Sequence, residues 1–508
     1  MADTPFLPDT TDADLEATLA AAASAAPDWA DRAPGDRAAI LCAVADALEA
    51  ATDELVAIAE RESGLPNARL TGEVKRTSVQ LRMFAQELLD GGFLDVVIDP
   101  ADPDFALGPR PDLRRFQIPL GPVVVFAASN FPFAFSVAGN DTASALAAGC
   151  PVIVKAHPGH LETSARTAAI VNRALRESGA PAGTFALISG QDAGVSALGD
   201  ERIAAAGFTG SVVGGRVLFD VAASRRIPIP FFGELGSVNP AIVTTGALEE
   251  RAEQIATGFV GSFTLGAGQF CTKPGILLVP EDATFIDSIV EQTQQVPAAR
   301  MLTARIVDGY LDRVAAASAA PKVDVLVKGE AMPHPSGVAE VSPTLLQTTA
   351  ENLVGDAEVL LEETFGPTAV IATYRDTTDV RRVLESIDGS LTVTLHTRTE
   401  PTGAERAELQ QLVRVAATRA GRLVFNGWPT GVAVTPAQHH GGPYPATTAI
   451  AHTSVGATAI RRFLRPVAFQ DAPAGLLPEA IRDDNPLDAP QRISPAGQSG
   501  QWGVNVRG

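Results

Sequence analysis

Between Val123 and Ser211 the chain reads VVVFAAS at 123–129, VIVKA at 152–156, FALIS at 185–189 and AAAGFTGS at 204–211. Each is a short, apolar run, and helical patterns over Glu162–Ser178 and Val213–Ala223 fill the gaps. Strands that are apolar on both faces and joined by helices belong to a parallel sheet covered on both sides. The stretch therefore predicts a doubly wound α/β unit. Working outward, the alternation resumes after Glu234, with AIVT at 241–244, a helix near 249–265, GILLVP at 275–280 and further units to about Phe425. This predicts a second α/β domain. From Asp12 to about Leu94 the chain is Ala- and Leu-rich, and Ile40, Leu41, Val44 and Leu48 recur at helical spacing. Pro- and Gly-rich segments at 98–122 and 427–445 read as crossings between modules, and the chain from about Asp483 as loop. Phe116 to Asn140 carries no formal charge, but Pro119, Pro122, Asn130 and Pro132 interrupt it, so it reads as a buried strand and a turn and not as a membrane span.

The 508 residues carry 39 Lys+Arg against 59 Asp+Glu, a net charge of −20. Nucleic-acid binding needs a basic face, so that class is excluded. With 46% hydrophobic residues the chain can bury more than one core. Three cysteines, Cys42, Cys150 and Cys271, are too few and too scattered for a disulfide framework or a CxxC metal site, and no metal is expected. A reducing compartment fits them. The acidic start MADTPFLPDTTDADLE lacks the basic and apolar regions of a secretory signal, so the expected location is the cytoplasm, with no membrane partner.

Several side chains stand where chemistry is possible. Cys271 follows Gly266-Ala267-Gly268-Gln269-Phe270, small residues that let the backbone bend just before a thiol, although a lone cysteine is often only a small core residue. Glu234 follows an apolar run and has Gly233 and Gly236 close by. Such surroundings should raise its pKa and suit a general base; the plainer reading is a capping or ion-paired carboxylate. Asn130, in Ser129-Asn130-Phe131-Pro132, follows VVVFA at its carboxyl end, where its amide can face an oxyanion or simply make a turn. Lys155 ends VIVKA in the same way, facing phosphate, ribose or solvent. Phe208-Thr209-Gly210-Ser211 and Gly214-Gly215 join a strand to a helix whose amino end can receive a pyrophosphate, or form an ordinary glycine turn.

Taken together, Asn130-Phe131-Pro132, Lys155, Phe208-Thr209-Gly210-Ser211, Glu234-Leu235-Gly236, Gly268-Gln269-Phe270-Cys271 and Glu363-Thr364-Phe365-Gly366-Pro367 resemble, in order and spacing, the aldehyde dehydrogenase superfamily over nearly the whole chain. Within it, GELGSVNP at 233–240, GQFCTKPG at 268–275, HGGPYPAT at 440–447 and RRFLRPV at 461–467 look most like α-ketoglutaric semialdehyde (2,5-dioxopentanoate) dehydrogenases and their NADP-linked fatty-aldehyde relatives. The resemblance implies a Rossmann-type cofactor domain (1–98 and 119–234), an α/β catalytic domain (235–425) and bridging or oligomerisation segments (99–118 and 426–508). In these a strand near 463–470 joins 99–118, and a homodimer or homotetramer is expected. The implied activity is NAD(P)-dependent oxidation of an aldehyde to a carboxylate through a thiohemiacetal and a thioester. Cys271 would be the nucleophile, Asn130 and the Cys271 backbone N–H the oxyanion donors, and Glu234 the base that activates water.

By the same resemblance, Lys155, Gly210, Ser211, Gly215, Leu235, Glu363 and Phe365 would contact the cofactor. NAD-preferring members usually carry a glutamate three positions after the equivalent lysine; here Pro158 stands there. That loss removes a repulsion, and Lys155 with His157 would attract a 2′-phosphate, so NADP is the expected cofactor, with NAD possible. Phe131, Phe135, Gln269 and Phe270 would line the substrate pocket. A dicarboxylic semialdehyde calls for an arginine for its remote carboxylate. None follows the Asn turn, which leaves Arg461, Arg462 or Arg465 as sources. The expected substrate is 2,5-dioxopentanoate; the alternatives are a fatty or aromatic aldehyde, or a catalytically silent member of the fold. An acylating, CoA-dependent activity would not need Glu234.

Overall fold

The computed structural model describes residues 7–502. Four helices lead: α1 (Asp12–Ala30), α2 (Pro34–Ala50), α3 (Thr52–Ser63) and α4 (Asn67–Asp90). The Thr11 hydroxyl accepts from the Asp14 N–H and starts α1, and Pro34, which has no N–H to lose, starts α2. Ile40, Leu41, Val44 and Leu48 lie in one core with Leu70, Val74, Leu81 and Phe84 of α4, as their spacing predicts. Burying a leucine or phenylalanine of this kind contributes about 1.5–3 kcal/mol, so tertiary packing holds these helices.

Strands β1 (Val96–Asp99) and β2 (Leu113–Pro119) come next, then five short strands: β3 (Val123–Phe126), β4 (Val152–Lys155), β5 (Phe185–Ile188), β6 (Ala205–Thr209) and β7 (Phe231–Glu234). Helices α5 (Asn140–Ala148), α6 (Leu161–Glu177), α7 (Gln191–Gly199) and α8 (Val212–Ser224) connect them. The five pair in parallel in the order β5-β4-β3-β6-β7, the doubly wound sheet expected. The chain steps outward from β3 to β5 and then returns to start β6 on the other side of β3. The carboxyl ends of β3 and β6 therefore flank the crevice where open α/β sheets receive ligands. Register pairs Phe126 with Phe208 and Thr209 with Glu234, which brings the Asn130 turn, the Gly210 turn and Glu234 to one edge.

After β8 (Ala241–Val243), α9 (Thr245–Thr264) and β9 (Ile276–Pro280), a second sheet of seven strands forms. Its order is 324–327, 344–349, 368–374, β9, β8, 390–396 and 420–425, with only the first strand antiparallel to its neighbour. Two further cores cover its faces. A small sheet sets β2 antiparallel to both β1 and Leu464–Gln470, and β1 parallel to Gln491–Ile493. Two expectations change here. Val96–Asp99 joins this sheet and not the dinucleotide unit, and the chain past Asp483 is not all loop. A three-residue strand reading Gln-Arg-Ile carries no alternating signal, so only its partner reveals it. Among the described residues no helix is long and apolar enough to cross a membrane.

Arg462, buried in the turn before Leu464, pairs with buried Asp141 of α5 at 2.7 Å. Arg462→Met leaves that carboxylate buried without its cation, so stability should fall by about 3–5 kcal/mol. Urea unfolding should show a lower midpoint at unchanged slope; an unchanged midpoint would show that the pair is dispensable.

Candidate functional site

Glu234 is the last residue of β7 and is 3% exposed. The chain at 446–448 lies along β7: Leu235 N–H donates to the Ala446 carbonyl at 2.8 Å, Thr448 N–H to the Gly233 carbonyl at 3.0 Å, and Glu234 bridges to Thr447. This added edge carries in a group that sequence reasoning did not single out, His440. Its backbone N–H donates to the Thr453 hydroxyl, and its carbonyl accepts from the Ser454 N–H. Its Nε2 lies 2.9 Å from Glu234 Oε1 and 3.6 Å from Cys271 Sγ, while the Ser454 hydroxyl donates to Glu234 Oε2. The donor atoms of Glu234, Cys271 and His440 all lie within 4.8 Å of one another.

Cys271 reaches this cluster on the loop after α9. Gly266, Ala267 and Gly268 are all left-handed, with φ of +58°, +54° and +65°, and turn the chain sharply before the thiol. A side chain at Gly268 would strike the Gly366 carbonyl. Asn239 Nδ2 donates to the Cys271 carbonyl at 2.8 Å and to the Lys273 carbonyl at 3.0 Å, pinning the other side. Asn130 Nδ2 donates to the Gln269 carbonyl at 3.1 Å, so the Asn turn and the thiol loop are joined directly. An amide nitrogen has two hydrogens, and one remains. Beneath the turn, Glu73 of α4 accepts from the Phe133 and Ala134 N–H groups at 2.8 and 3.0 Å, and Arg69 donates to the Asn130 carbonyl at 2.6 Å. Cys271, Glu234 and Asn130, distant in sequence, thus share one site.

The electrostatics correct one expectation. Burial pushes the Glu234 carboxyl up, but the charge and hydrogen bond of His440, with the hydroxyl of Ser454, more than offset it, and the net shift is downward. Burial, and then the Glu234 carboxylate, push the Cys271 thiol well above its ordinary range. At rest the carboxylate is ionised and the sulfur protonated, so activation means moving a proton out of the thiol.

The residues expected to meet a nicotinamide cofactor lie around the crevice. Lys155 ends β4, half-buried. Ser211 caps α8, its hydroxyl accepting from the Gly214 N–H at 3.2 Å, and Gly210 precedes it. At Gly215 a side chain would strike Leu235, so the backbone of α8 packs directly on the segment that follows β7. The exposed amino end of α8 and the exposed Val213 and Val217, one turn apart, fit a pyrophosphate and an apolar ring. Glu363 and Phe365, half-buried, precede the strand 368–374 of the second sheet. His157 does not act as the expected cation. Burial, with His160, Lys155 and Arg305 around it, lowers its pKa well below the ordinary value, so it stays neutral and Nδ1 accepts from the Gly159 N–H.

On the substrate side, Phe131 meets both Phe135 and Phe270 edge-on, with ring centroids 5.4 Å apart in each pair, an aromatic wall continued by Val432, Val434 and Val455. Phe133 turns into the main core. Gln269 departs from expectation: it is 1% exposed, with Nε2 donating to the Gly266 carbonyl and Oε1 accepting from the Leu302 N–H, so it braces the loop and does not line the pocket. The C-terminal arginines are displaced too, since Arg462 is tied to Asp141, while Arg461 and Arg465 are exposed. The guanidinium groups whose charge reaches the thiol belong instead to Arg76 of α4 and to Arg422, while Arg69 holds the Asn130 carbonyl. His440 stood in the quoted HGGPYPAT, but no local spacing ties it to residues 206 and 169 positions away.

A doubly wound sheet with this crevice and a cysteine loop opposite define an α/β oxidoreductase. The model of the aldehyde dehydrogenase family matches residues 6–444, and the chain belongs to that family. It is an aldehyde dehydrogenase, oxidising an aldehyde to a carboxylate with a nicotinamide cofactor. It is 45% identical over 460 residues to alpha-ketoglutaric semialdehyde dehydrogenase 2 of Azospirillum brasilense, covering 90% of this chain and 86% of that one. It is 41% identical over 457 residues to alpha-ketoglutaric semialdehyde dehydrogenase of Acinetobacter baylyi, covering 89% and 85%. The fold is shared with an NAD-dependent aldehyde dehydrogenase from Sinorhizobium meliloti (TM-score 0.76, 23% identity, 91% and 88% covered) and with a lactaldehyde dehydrogenase (TM-score 0.77, 21% identity, 91% and 92% covered).

Alkylation reads the thiol directly. In the cofactor-free protein, labelling of Cys271 by iodoacetamide, followed by peptide mass spectrometry, should rise only above the ordinary thiol range near about 8.5. Glu234→Gln removes a charge that holds the proton on sulfur, so its profile should move to lower pH; a move to higher pH would contradict the arrangement.

Proposed function

We propose that this chain oxidises 2,5-dioxopentanoate to 2-oxoglutarate, with Cys271 as nucleophile, Asn130 as oxyanion donor and Glu234 as base. The observation that carries the roles is the cluster of thiol, imidazole and carboxylate within 4.8 Å; the similarity to the Azospirillum and Acinetobacter enzymes supports the substrate. As the aldehyde approaches, His440 passes the proton on Nε2 to Glu234 Oε1 and takes the Cys271 proton in return. Sulfur then bonds to the carbonyl carbon, and the carbonyl electron pair moves to oxygen. The second Asn130 N–H and the Cys271 backbone N–H hold that oxygen, each such donor contributing about 2.7–4 kcal/mol to the transition state. When bound, NAD(P) supplies the two-electron acceptor that makes the adduct a thioester. Glu234 first releases the relayed proton to solvent, and its carboxylate then takes a proton from the water that attacks the thioester carbon, while the sulfur leaves as thiolate.

Lys155 and the amino end of α8 bind the cofactor in this reading, with Glu363 and Phe365 at its nicotinamide end. NADP is preferred because Pro158 offers no carboxylate to repel a 2′-phosphate; with His157 neutral, Lys155 is the attracting charge. The aromatic wall of Phe131, Phe135 and Phe270 favours a second reading, a fatty or aromatic aldehyde. The three free cysteines fit a reducing, cytoplasmic setting.

The helices and the five-stranded sheet form the cofactor domain in this reading, the seven-stranded sheet the catalytic one. The small sheet joins subunits in this reading, because Leu464–Gln470 is one of its two edge strands and, among the described residues, pairs on one side only. Light scattering should give a dimer or tetramer; a monomer at every concentration would contradict this.

Initial rates across an aldehyde panel, each with NADP and NAD, test the activity, with Cys271→Ala as inactive control. The highest kcat/KM is expected for 2,5-dioxopentanoate with NADP. A higher value for long-chain or aromatic aldehydes would establish the second reading, and tighter use of NAD would overturn the cofactor preference.

A further inference from the structure

On α4, Arg69, Glu73, Arg76 and Gln80 recur at spacings of four, three and four, forming one stripe toward the Asn130 turn. Three have evident tasks. Arg69 holds the Asn130 carbonyl and lies so close to the thiol loop that a side chain at Gly266 would come within 2.7 Å of its Nη1. Glu73 Oε1 caps the backbone of Phe133 and Ala134. Gln80, fully buried, accepts from Arg76 Nε at 3.0 Å. Arg76 differs. Its guanidinium lies over the rings of Phe131 and Phe135, at 5.5 and 5.4 Å from their centroids, and its Nη2 is buried without a hydrogen-bond partner among the described residues. Its charge acts on both Cys271 and Glu234. Arg422, whose charge also reaches the thiol, spends Nη1 on the Gly431 carbonyl and Nη2 on that of Pro429.

A guanidinium set over aromatic rings, with its Nε held by Gln80, keeps its outer edge for a planar anion. We infer that Arg76 receives the remote carboxylate of a short oxo acid, with Gln80 as the positioning residue, so that the phenylalanine wall admits the carbon chain while α4 selects its charge. This deepens the proposed function and rests on it: the five-carbon substrate proposed above carries its carboxylate at the end opposite the aldehyde. The same feature reconciles an aromatic pocket with a charged substrate.

The experiment compares chain-matched pairs, glutarate semialdehyde against pentanal and succinate semialdehyde against butanal, in the parent, Arg76→Met and Arg76→Lys proteins with saturating NADP. In Arg76→Met the ratio of kcat/KM for each oxo acid to its neutral partner should fall on the order of 10–100-fold, mainly through KM. Arg76→Lys should recover part of it. Independently of turnover, glutarate should slow iodoacetamide labelling of Cys271 in the parent and not in Arg76→Met. A parent that prefers oxo acids, but whose ratio is unchanged in Arg76→Met, overturns the role of Arg76 alone. Equal losses on both members of a pair mark a structural role and overturn it too. A parent that prefers pentanal to glutarate semialdehyde overturns the substrate reading itself.

Discussion

The hydrogen bond between His440 Nε2 and Glu234 Oε1, 2.9 Å long and shut away from solvent, is the contact on which the site depends. A carboxylate buried this deeply would protonate without compensation, and a protonated carboxyl cannot take a proton from water. The imidazole and the Ser454 hydroxyl keep it ionised. The same imidazole nitrogen faces the sulfur, so one group sets the charge of the base and stands in the path of the thiol proton. Pairing of this kind needs both partners held rigidly, and the backbone ladder between 446–448 and β7 does that.

The rest of the architecture delivers three loops to that contact. Parallel register in the first sheet ends β3, β6 and β7 at one level, and the left-handed turn at 266–268 throws the thiol back toward them. Ala267 holds a positive φ that a residue with a side chain rarely adopts. Such a conformation persists where its surroundings enforce it, and here Asn130, Gln269 and Asn239 tie the loop on both sides.

Much of this was legible in the sequence, for identifiable reasons. VVVFA and VIVKA announce buried parallel strands, and the motifs around Asn130, Glu234 and Cys271 each sit at the end of an element whose pattern is local. His440 was not legible, because its loop has no period and its meaning comes from pairing with β7. The pKa of Glu234 was misjudged for the same cause: the neighbouring apolar run is visible in sequence, the distant imidazole is not. Arg69 and Arg76 read as the polar face of a helix until α4 is laid beneath the Asn turn. Gln269, next to a catalytic loop, invites a pocket role, and only its two bonds to Gly266 and Leu302 show that it is spent on the wall.

The small sheet joins Val96–Asp99 to Gln491–Ile493 and Leu113–Pro119 to Leu464–Gln470, and the segment bearing His440 and Ser454 enters just before it. During synthesis, the dinucleotide unit and the thiol loop leave the ribosome long before their proton-handling partner exists. A nascent chain that has folded its first sheet therefore still holds an unpaired Glu234, and its sulfur lacks the relay until some 200 further residues have emerged, the 206-position gap from Glu234 to His440. The thiol and its base therefore meet their relay only once the segment bearing His440 has been made.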